Sequence, residues 1–352
     1  MSEDKKRVYI LDILRFSAAL MVVLYHYTVF LPTKTSDFDI YQAFFAYGYL
    51  GVNLFFMISG FVIFLSVDGK SWSEFIASRI SRLFPAYWFS VLLTFLMISL
   101  YAQHIGFTLS IYELLINFTM LQDFLNVRHV DGVYWTLTIE LIFYFWVFVF
   151  IIFNRLEILP YLTVLLSVLY LGGAYNSILE KVFIMNWMPF FSSGIVFYLL
   201  LKNNKKKEVI LHISIFVNFL AALKSTYNHS GYLSEIGVSV QDSMLFIITL
   251  LFFLCFYIML NLPKSIDGKF NNKLIFTLGA ITYPLYLLHQ NVGYILFSLF
   301  REYNPHFILC VTLGVMVFIS FNVNFYIEKK YSKKVYAFCS SMLIRQGSKE
   351  VK

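Results

Sequence analysis

Charge is scarce in this sequence. Asp, Glu, Lys and Arg account for 13% of its 352 residues, about half of what an ordinary soluble domain carries, while 59% are hydrophobic. A water-soluble fold, which needs a charged surface, is excluded. Cysteine is also rare. Of the three, Cys255 and Cys310 sit in apolar runs and Cys339 in a basic stretch, with no disulfide or zinc spacing among them, so all three are expected to be structural. No repeat period is visible and the stretch after Tyr326 is too short for another domain, which predicts one domain over 1–340 and a short basic tail over 341–352. The first apolar run lacks a small-residue cleavage site and contains Arg15 and His26, so it is expected to stay in place rather than act as a removable leader. The net charge of +7 is scattered over short loops instead of forming a stripe, which speaks against nucleic acid as a partner.

What is abundant is apolar runs of roughly 20 residues, each long enough to cross a hydrocarbon core about 30 Å thick. Ten such spans are expected, over 10–30, 47–67, 85–104, 135–153, 159–175, 183–201, 208–223, 240–261, 274–299 and 306–326. The fold class is therefore an all-α polytopic membrane protein in contact with lipid. With the N-terminus in the cytoplasm, Lys5, Lys6, Arg7, Lys70, Arg79, Arg82, Arg155, Lys202, Lys205, Lys206, Lys207, Lys264, Lys269, Lys273 and the Lys-rich tail lie inside. Lys34, Arg128, Lys181, Lys224 and Arg301 lie outside. That asymmetry follows the retention of Lys and Arg on the cytoplasmic side, and an even number of spans brings the C-terminus there too. The loop over 105–134, on the outer side, is aromatic and polar and is expected to pack over the bundle.

Four side chains are out of place in such spans. A charge near the bilayer centre costs at least about 2.5–3.5 kcal/mol, so Arg15, His26, Glu140 and His289 must face protein, water or ligand. Arg15 and His26 are eleven residues apart, and eleven steps of about 100° bring them onto one helix face, roughly 16 Å apart along the axis. The plain alternative is that Arg15 snorkels to the headgroups while His26 bonds a neighbouring helix. Asp12, one turn before Arg15, is placed to hold its guanidinium. Gly51-Val52-Asn53-Leu54-Phe55-Phe56-Met57-Ile58-Ser59-Gly60 mixes small and polar groups with bulky ones, which taken alone reads as a seam for close helix packing. Arg79 and Arg82 share a face if their stretch is helical, and could hold phosphates or simply follow the positive-inside bias. Trp135 stands at interface depth with Glu140 a turn and a half further on. In Tyr283-Pro284-Leu285-Tyr286-Leu287-Leu288-His289, Pro284 should free backbone carbonyls for neighbours to satisfy.

Taken together, these segments resemble the acyltransferase-3 family of membrane O-acyltransferases. The pieces are Leu11-Asp12-Ile13-Leu14-Arg15 followed by His26; Gly51-Val52-Asn53-Leu54-Phe55-Phe56 into Ser59-Gly60-Phe61; Arg79 to Arg82 and then Pro85-Ala86-Tyr87-Trp88; Trp135-Thr136-Leu137 to Glu140; Tyr283-Pro284-Leu285-Tyr286 to His289; and Tyr326-Ile327-Glu328-Lys329. Asn53 departs from the Asp or Glu common at that position, while Phe143-Tyr144 keeps the aromatic that follows Glu140. The resemblance implies transfer of an acetyl group from acetyl-CoA, with no permanently bound cofactor, to a hydroxyl of a cell-surface polysaccharide or lipid-linked sugar. It also implies a bacterial inner membrane, leaves self-association open, and leads us to expect no extracytoplasmic hydrolase-like domain after the membrane part. His26 is then the general base or transient acyl carrier and Glu140 its orienting carboxylate, with Arg15 beside them. Arg15, Arg79, Arg82, Ser59 and Gly60 would hold the donor, and Asp12, Asn53, Trp135, Tyr283 and His289 would support the site. Two competing readings are a glycolipid transporter or flippase, and a metal site built from His26, His289 and Glu140; no metal is expected.

Overall fold

A computed structural model describes residues 9–30, 39–202, 207–235, 237–261 and 272–347. Of the charges used above to orient the chain, Lys5, Lys6, Arg7, Lys34, Lys205, Lys206, Lys264 and Lys269 lie outside the described residues, as does the end of the expected tail, 348–352. Every regular element among the described residues is helical, as expected where no water is available to satisfy an exposed strand edge.

In chain order the helices are α1 (Tyr9–Tyr25), α2 (Asp39–Phe45), α3 (Gly51–Val67), α4 (Trp72–Ile105), α5 (Ile111–Asn117), α6 (Trp135–Ile152) and α7 (Leu159–Leu171). They continue with α8 (Ser177–Phe183), α9 (Met188–Leu201), α10 (Glu208–Glu235), α11 (Asp242–Asn261), α12 (Asn272–Leu299), α13 (Pro305–Asn322) and α14 (Lys329–Gly347). Among the described residues eight segments are long and apolar enough to cross a membrane: Tyr9–Phe30, Gln42–Val67, Trp72–Gln103, Gly132–Ile152, Ser177–Leu201, Glu208–Glu235, Asp242–Asn261 and Pro305–Leu343. The other two expected spans are helices of a different kind. α7 has only 13 residues and stops at Leu171, where Gly173 takes a positive φ and Ala174 N–H turns back to the Leu169 carbonyl at 2.9 Å, a glycine stop; Lys224 Nζ then takes the end carbonyls of Tyr170 and Leu171 at 2.8 and 3.1 Å. α12 is long, at 28 residues, but its Thr, Tyr, His, Gln and Asn side chains dilute its hydropathy.

Two boundaries differ from expectation in ways that matter for the site. The third span was expected to begin at Pro85; instead α4 starts thirteen residues earlier at Trp72. Ser71 caps it, with its Oγ accepting from Glu74 N at 3.3 Å and its own N–H donating to Glu74 at 2.9 Å. A reciprocal cap of this kind is strong enough to set a helix start, so Arg79 and Arg82 lie on helix and not in a loop. At the other end of the chain the helix does not stop at 326 but runs through a π-helical turn, Val323–Glu328, into α14. The segment expected to be a tail is thus helical as far as Gly347.

The interior is organised around α3 and α9, whose side chains are buried on nearly every face. Their backbones touch through glycine: a Cβ at Gly60 would lie 2.1 Å from the Phe191 carbonyl oxygen, and one at Gly194 would lie 2.0 Å from that of Met57. Gly51 makes the same kind of approach to α1, where a Cβ would lie 2.4 Å from the Ala18 carbonyl. The small residues of the second span are therefore a packing seam on two sides. The segment between α4 and α6 folds over one end of the bundle. Tyr87 Oη and Trp88 Nε1 donate to the carbonyls of Asn117 and Phe118 at 2.8 and 2.9 Å, and the buried Asp131 carboxylate accepts the Asn291 N–H of α12 at 3.0 Å.

Pro284 behaves as its chemistry requires. It cannot donate to the Ala280 carbonyl, and Asn324 Nδ2 does so instead at 3.2 Å. A second π-helical turn, His26–Phe30, ends the first span. Such turns are rare and cluster at functional sites.

Substituting Gly60 by Ala is expected to lower stability by about 1–3 kcal/mol, the usual penalty for overpacking, because a backbone carbonyl cannot move aside. Gly314→Ala, in a helical position with nothing within 4 Å of the added methyl, is expected to leave the detergent melting temperature unchanged or slightly raised. Equal melting temperatures for the two variants would refute the seam.

Candidate active site

Among the described residues two adjoining cavities open into the bundle, and the residues singled out in the sequence divide between them. The larger, of about 910 Å³, lies at the end where α1 begins. Arg15 and Asp12 of α1, Ser59 of α3, Arg79 and Arg82 of α4, Glu140 and Tyr144 of α6, Tyr283 of α12, Asn324 and Glu328 of the π turn and the start of α14 all line it. The smaller, of about 460 Å³, lies at the other end of α1 and is lined by His26, Asn53, Trp135, Trp187, His229 and Gln290, with Tyr25, Tyr49 and Phe30 among its aromatic walls. Val52 and Tyr286 face both.

In the larger cavity each carboxylate has a partner. Asp12 lies 3.9 Å from Arg15, pressed against α12 where Gly279 leaves no Cβ in its way. Glu328, almost fully buried, binds Arg82 directly and accepts from Asn324 Nδ2 at 3.0 Å. Arg82 also lies over the Tyr283 ring, 5.8 Å from its centroid. Glu140 accepts from Ser59 Oγ at 3.0 Å and from Tyr144 Oη. Arg79 differs from the other two arginines: its guanidinium lies over the rings of Tyr144 and Phe75 at 5.7 and 5.9 Å, its Nε is buried without a hydrogen-bond acceptor, and it makes no ion pair among the described residues. It is a cation with capacity left for an anion.

At the other end, two histidines meet. His26 Nδ1 lies 2.9 Å from the Val22 carbonyl and 3.1 Å from His289 Nε2, and His289 Nδ1 lies 2.8 Å from the Tyr286 carbonyl. A carbonyl only accepts, so both Nδ1 atoms carry hydrogen. His289 Nε2 is then the acceptor for His26, which makes His289 the neutral ring. In its neutral form His26 keeps a bare Nε2 on a side chain that lines the cavity, the arrangement a general base needs. The Tyr27 hydroxyl donates to the His289 carbonyl at 2.7 Å, fixing the helix that carries His289.

Three expectations are corrected by this geometry. Glu140 does not orient His26: it lines the other cavity, held there by Ser59 and Tyr144, and His289 is the partner of His26. Gly60 does not line the larger cavity, because its Cα faces the Phe191 backbone. Arg15, on α1, and His26, at the start of the π turn that ends the same span, do not share a cavity; between them stand Val52 and Tyr286, whose hydroxyl lies 2.9 Å from Thr136 Oγ1. Arg15, Ser59, Arg79 and Arg82 of the expected donor set line the larger cavity, and Asp12 and Tyr283 of the expected supporting set line it too. Asn53 and Trp135 belong with His26, Asn53 Nδ2 reaching Thr226 Oγ1 at 3.5 Å and Trp135 lying against Trp187 with centroids 5.2 Å apart. Sequence reasoning missed Tyr286, Trp187, His229 and Gln290, none of which stands out from an aromatic-rich chain, and the role of Glu328. A carboxylate ending an apolar run was the available signal for Glu328.

An all-helical membrane bundle with arginines around one chamber and a paired histidine in another defines a class of membrane-embedded group-transfer enzyme. The acyltransferase domain model of the acyltransferase-3 type matches residues 8–323, and the chain belongs to that family. It is 30% identical over 293 residues, 78% of its own length and 80% of the relative's, to ORF330 of Acidianus two-tailed virus, whose name describes it provisionally as an acetyltransferase. No solved structure matches the chain.

Removing one member of the Arg82–Glu328 pair is expected to destabilise the protein more than removing both, since it strands a buried charge. In a double-mutant cycle of Arg82→Ala and Glu328→Ala, read by thermal unfolding, a coupling of about 1–3 kcal/mol is expected, with the lower end set by the openness of Arg82 to the cavity. Additive losses would remove the pair from the structural account.

Proposed function

We propose that this acyltransferase moves an acetyl group from acetyl-CoA to a hydroxyl of a cell-surface polysaccharide or lipid-linked sugar. The donor enters the larger cavity from the cytoplasm, which is the side the positive-inside distribution favours for both termini, with α7 and α12 completing ten spans in a bacterial inner membrane. The observation that carries the reading is the division of labour along α1, with an anion-ready chamber at the Arg15 end and a base-ready imidazole at the other.

Arg79, with its spare hydrogen-bonding capacity, together with Arg15 and Arg82, takes the phosphates of the donor, as guanidinium groups suit such oxygens. The pantetheine arm runs deeper past Ser59 and Thr136. Its thioester reaches the smaller cavity once the Tyr286 side chain swings from its bond to Thr136. There His26 Nε2 removes the proton from the acceptor hydroxyl, whose oxygen attacks the thioester carbon; the carbon–sulfur bond breaks and the thiolate leaves with the donor. His289 positions the His26 ring. The aromatic walls of the smaller cavity and Gln290 suit a sugar ring, with one apolar face and a polar rim.

With the purified protein and labelled acetyl-CoA, His26→Ala is expected to reduce transfer by about 10²–10⁴-fold, the range for loss of a general base, with the fold intact. Arg79→Ala should raise the donor KM about tenfold, the value of one lost charge-assisted bond. Full turnover by His26→Ala would end the assignment of the base, and failure of the wild-type protein to consume acetyl-CoA would end the reading as a whole.

A further inference from the structure

The match to the family stops at residue 323, yet the larger cavity continues beyond it. Lys329, Ser332 and Lys333 of α14 line its mouth. They stand at i, i+3 and i+4, the spacing that sets side chains on one helix face, and this helix packs along α4, which brings Arg79.

The charge balance of that mouth is unequal. The three carboxylates lining the cavity are all engaged: Asp12 with Arg15, Glu328 with Arg82, and Glu140 with Ser59 and Tyr144. Lys329 and Lys333, like Arg79, make no ion pair among the described residues. Lys329 Nζ rests over the rings of Phe276 and Phe325 at 5.6 and 5.5 Å, which holds it in place without neutralising it. Two polar atoms there are buried with no hydrogen-bond partner, Ser332 Oγ and Arg79 Nε, and an unpartnered buried donor costs about 1–3 kcal/mol. Two unneutralised ammonium groups at the mouth, with the two unpartnered donors buried just behind its surface, call for a compact ligand with multiple negative charges and several acceptor oxygens. A phosphate monoester, carrying about −1.5 to −2 at neutral pH, has that chemistry, and flexible lysines suit it as point charges.

We propose that the Lys329–Ser332–Lys333 face of α14 is a phosphomonoester subsite that grips the 3′-phosphate on the ribose of the donor nucleotide. The assignment to that phosphate rests on the reading of the donor as acetyl-CoA. The diphosphate, nearer the pantetheine arm, goes to the arginines deeper in the cavity, and the ribose phosphate at the far end of the molecule stays at the mouth. α14 thus completes a donor site that the family match only partly covers.

The test is a binding measurement, so it does not depend on turnover. The full-length protein in nanodiscs of neutral phosphatidylcholine is titrated with adenosine 3′,5′-bisphosphate and with adenosine 5′-monophosphate. The bisphosphate is expected to bind at least about tenfold more tightly, the value of one charge-assisted contact. Lys333→Ala, at an exposed position that folding does not require, and Ser332→Ala should each remove most of that preference while leaving monophosphate binding unchanged. Equal affinities in the wild type, or variants that weaken both nucleotides alike, would overturn the subsite. If the lysines instead serve a lipid headgroup, the variants will leave the nucleotide preference intact and abolish only a response to phosphatidylglycerol in the nanodisc, which also overturns it. Retained preference without acetyl-CoA turnover would leave the subsite standing and count against the proposed reaction alone.

Discussion

A carboxylate inside an apolar bundle must be neutralised or hydrogen-bonded where it stands, and one end of this protein is arranged around three of them. Asp12 reaches Arg15, Glu328 reaches Arg82, and Glu140 takes hydroxyls from two different helices. Two of these contacts cross between elements, Ser59 of α3 to Glu140 of α6 and Arg82 of α4 to Glu328 in the turn before α14, while Asp12–Arg15 lies within α1, so part of the cavity wall is held by the same bonds that cancel buried charge. Arg79, with Lys329 and Lys333 at the mouth, makes no ion pair among the described residues, which is why the chamber keeps an appetite for anions.

Irregular backbone does the rest of the positioning. Pro284 leaves the Ala280 carbonyl free, and Asn324 fills the vacancy from a π-helical turn whose last residue is Glu328. The other π turn begins at His26 and sets its ring against His289. A regular helix would carry both side chains to other angles. Glycines allow the approach: at Gly293 a methyl group would lie 2.3 Å from the Tyr27 hydroxyl that holds the His289 carbonyl.

Much of this was legible in the sequence, because the bilayer makes polar side chains conspicuous. Arg15, His26, Glu140 and His289 stood out by cost alone, whereas the line drawn from Arg15 to His26 by helical periodicity runs into two different cavities. The grouping of Arg79 with Arg82, the freeing of a carbonyl by Pro284 and the seam along Gly51 to Gly60 also followed from local chemistry. Pairing between helices did not. Glu140 and His289 are equally plausible partners for His26 on a helical wheel, and only the packing of α12 against α1 selects His289. Gly60 was read with its neighbour Ser59 as part of a site although one residue on a helix turns the face by about 100°, enough to move it from chamber to seam. Helix ends were misjudged where short local signals decided them, the Ser71–Glu74 box that starts α4 and the Gly172-Gly173 stop that ends α7.

The partition formed by Val52 and Tyr286 also has an electrical side. A continuous aqueous bore through a membrane protein conducts protons and ions, and each elementary charge that crosses releases about 2.3 kcal/mol per 100 mV of potential. Val52 and Tyr286, which line both chambers, stand where such a leak would open. The Tyr286 ring puts low-dielectric material into that path.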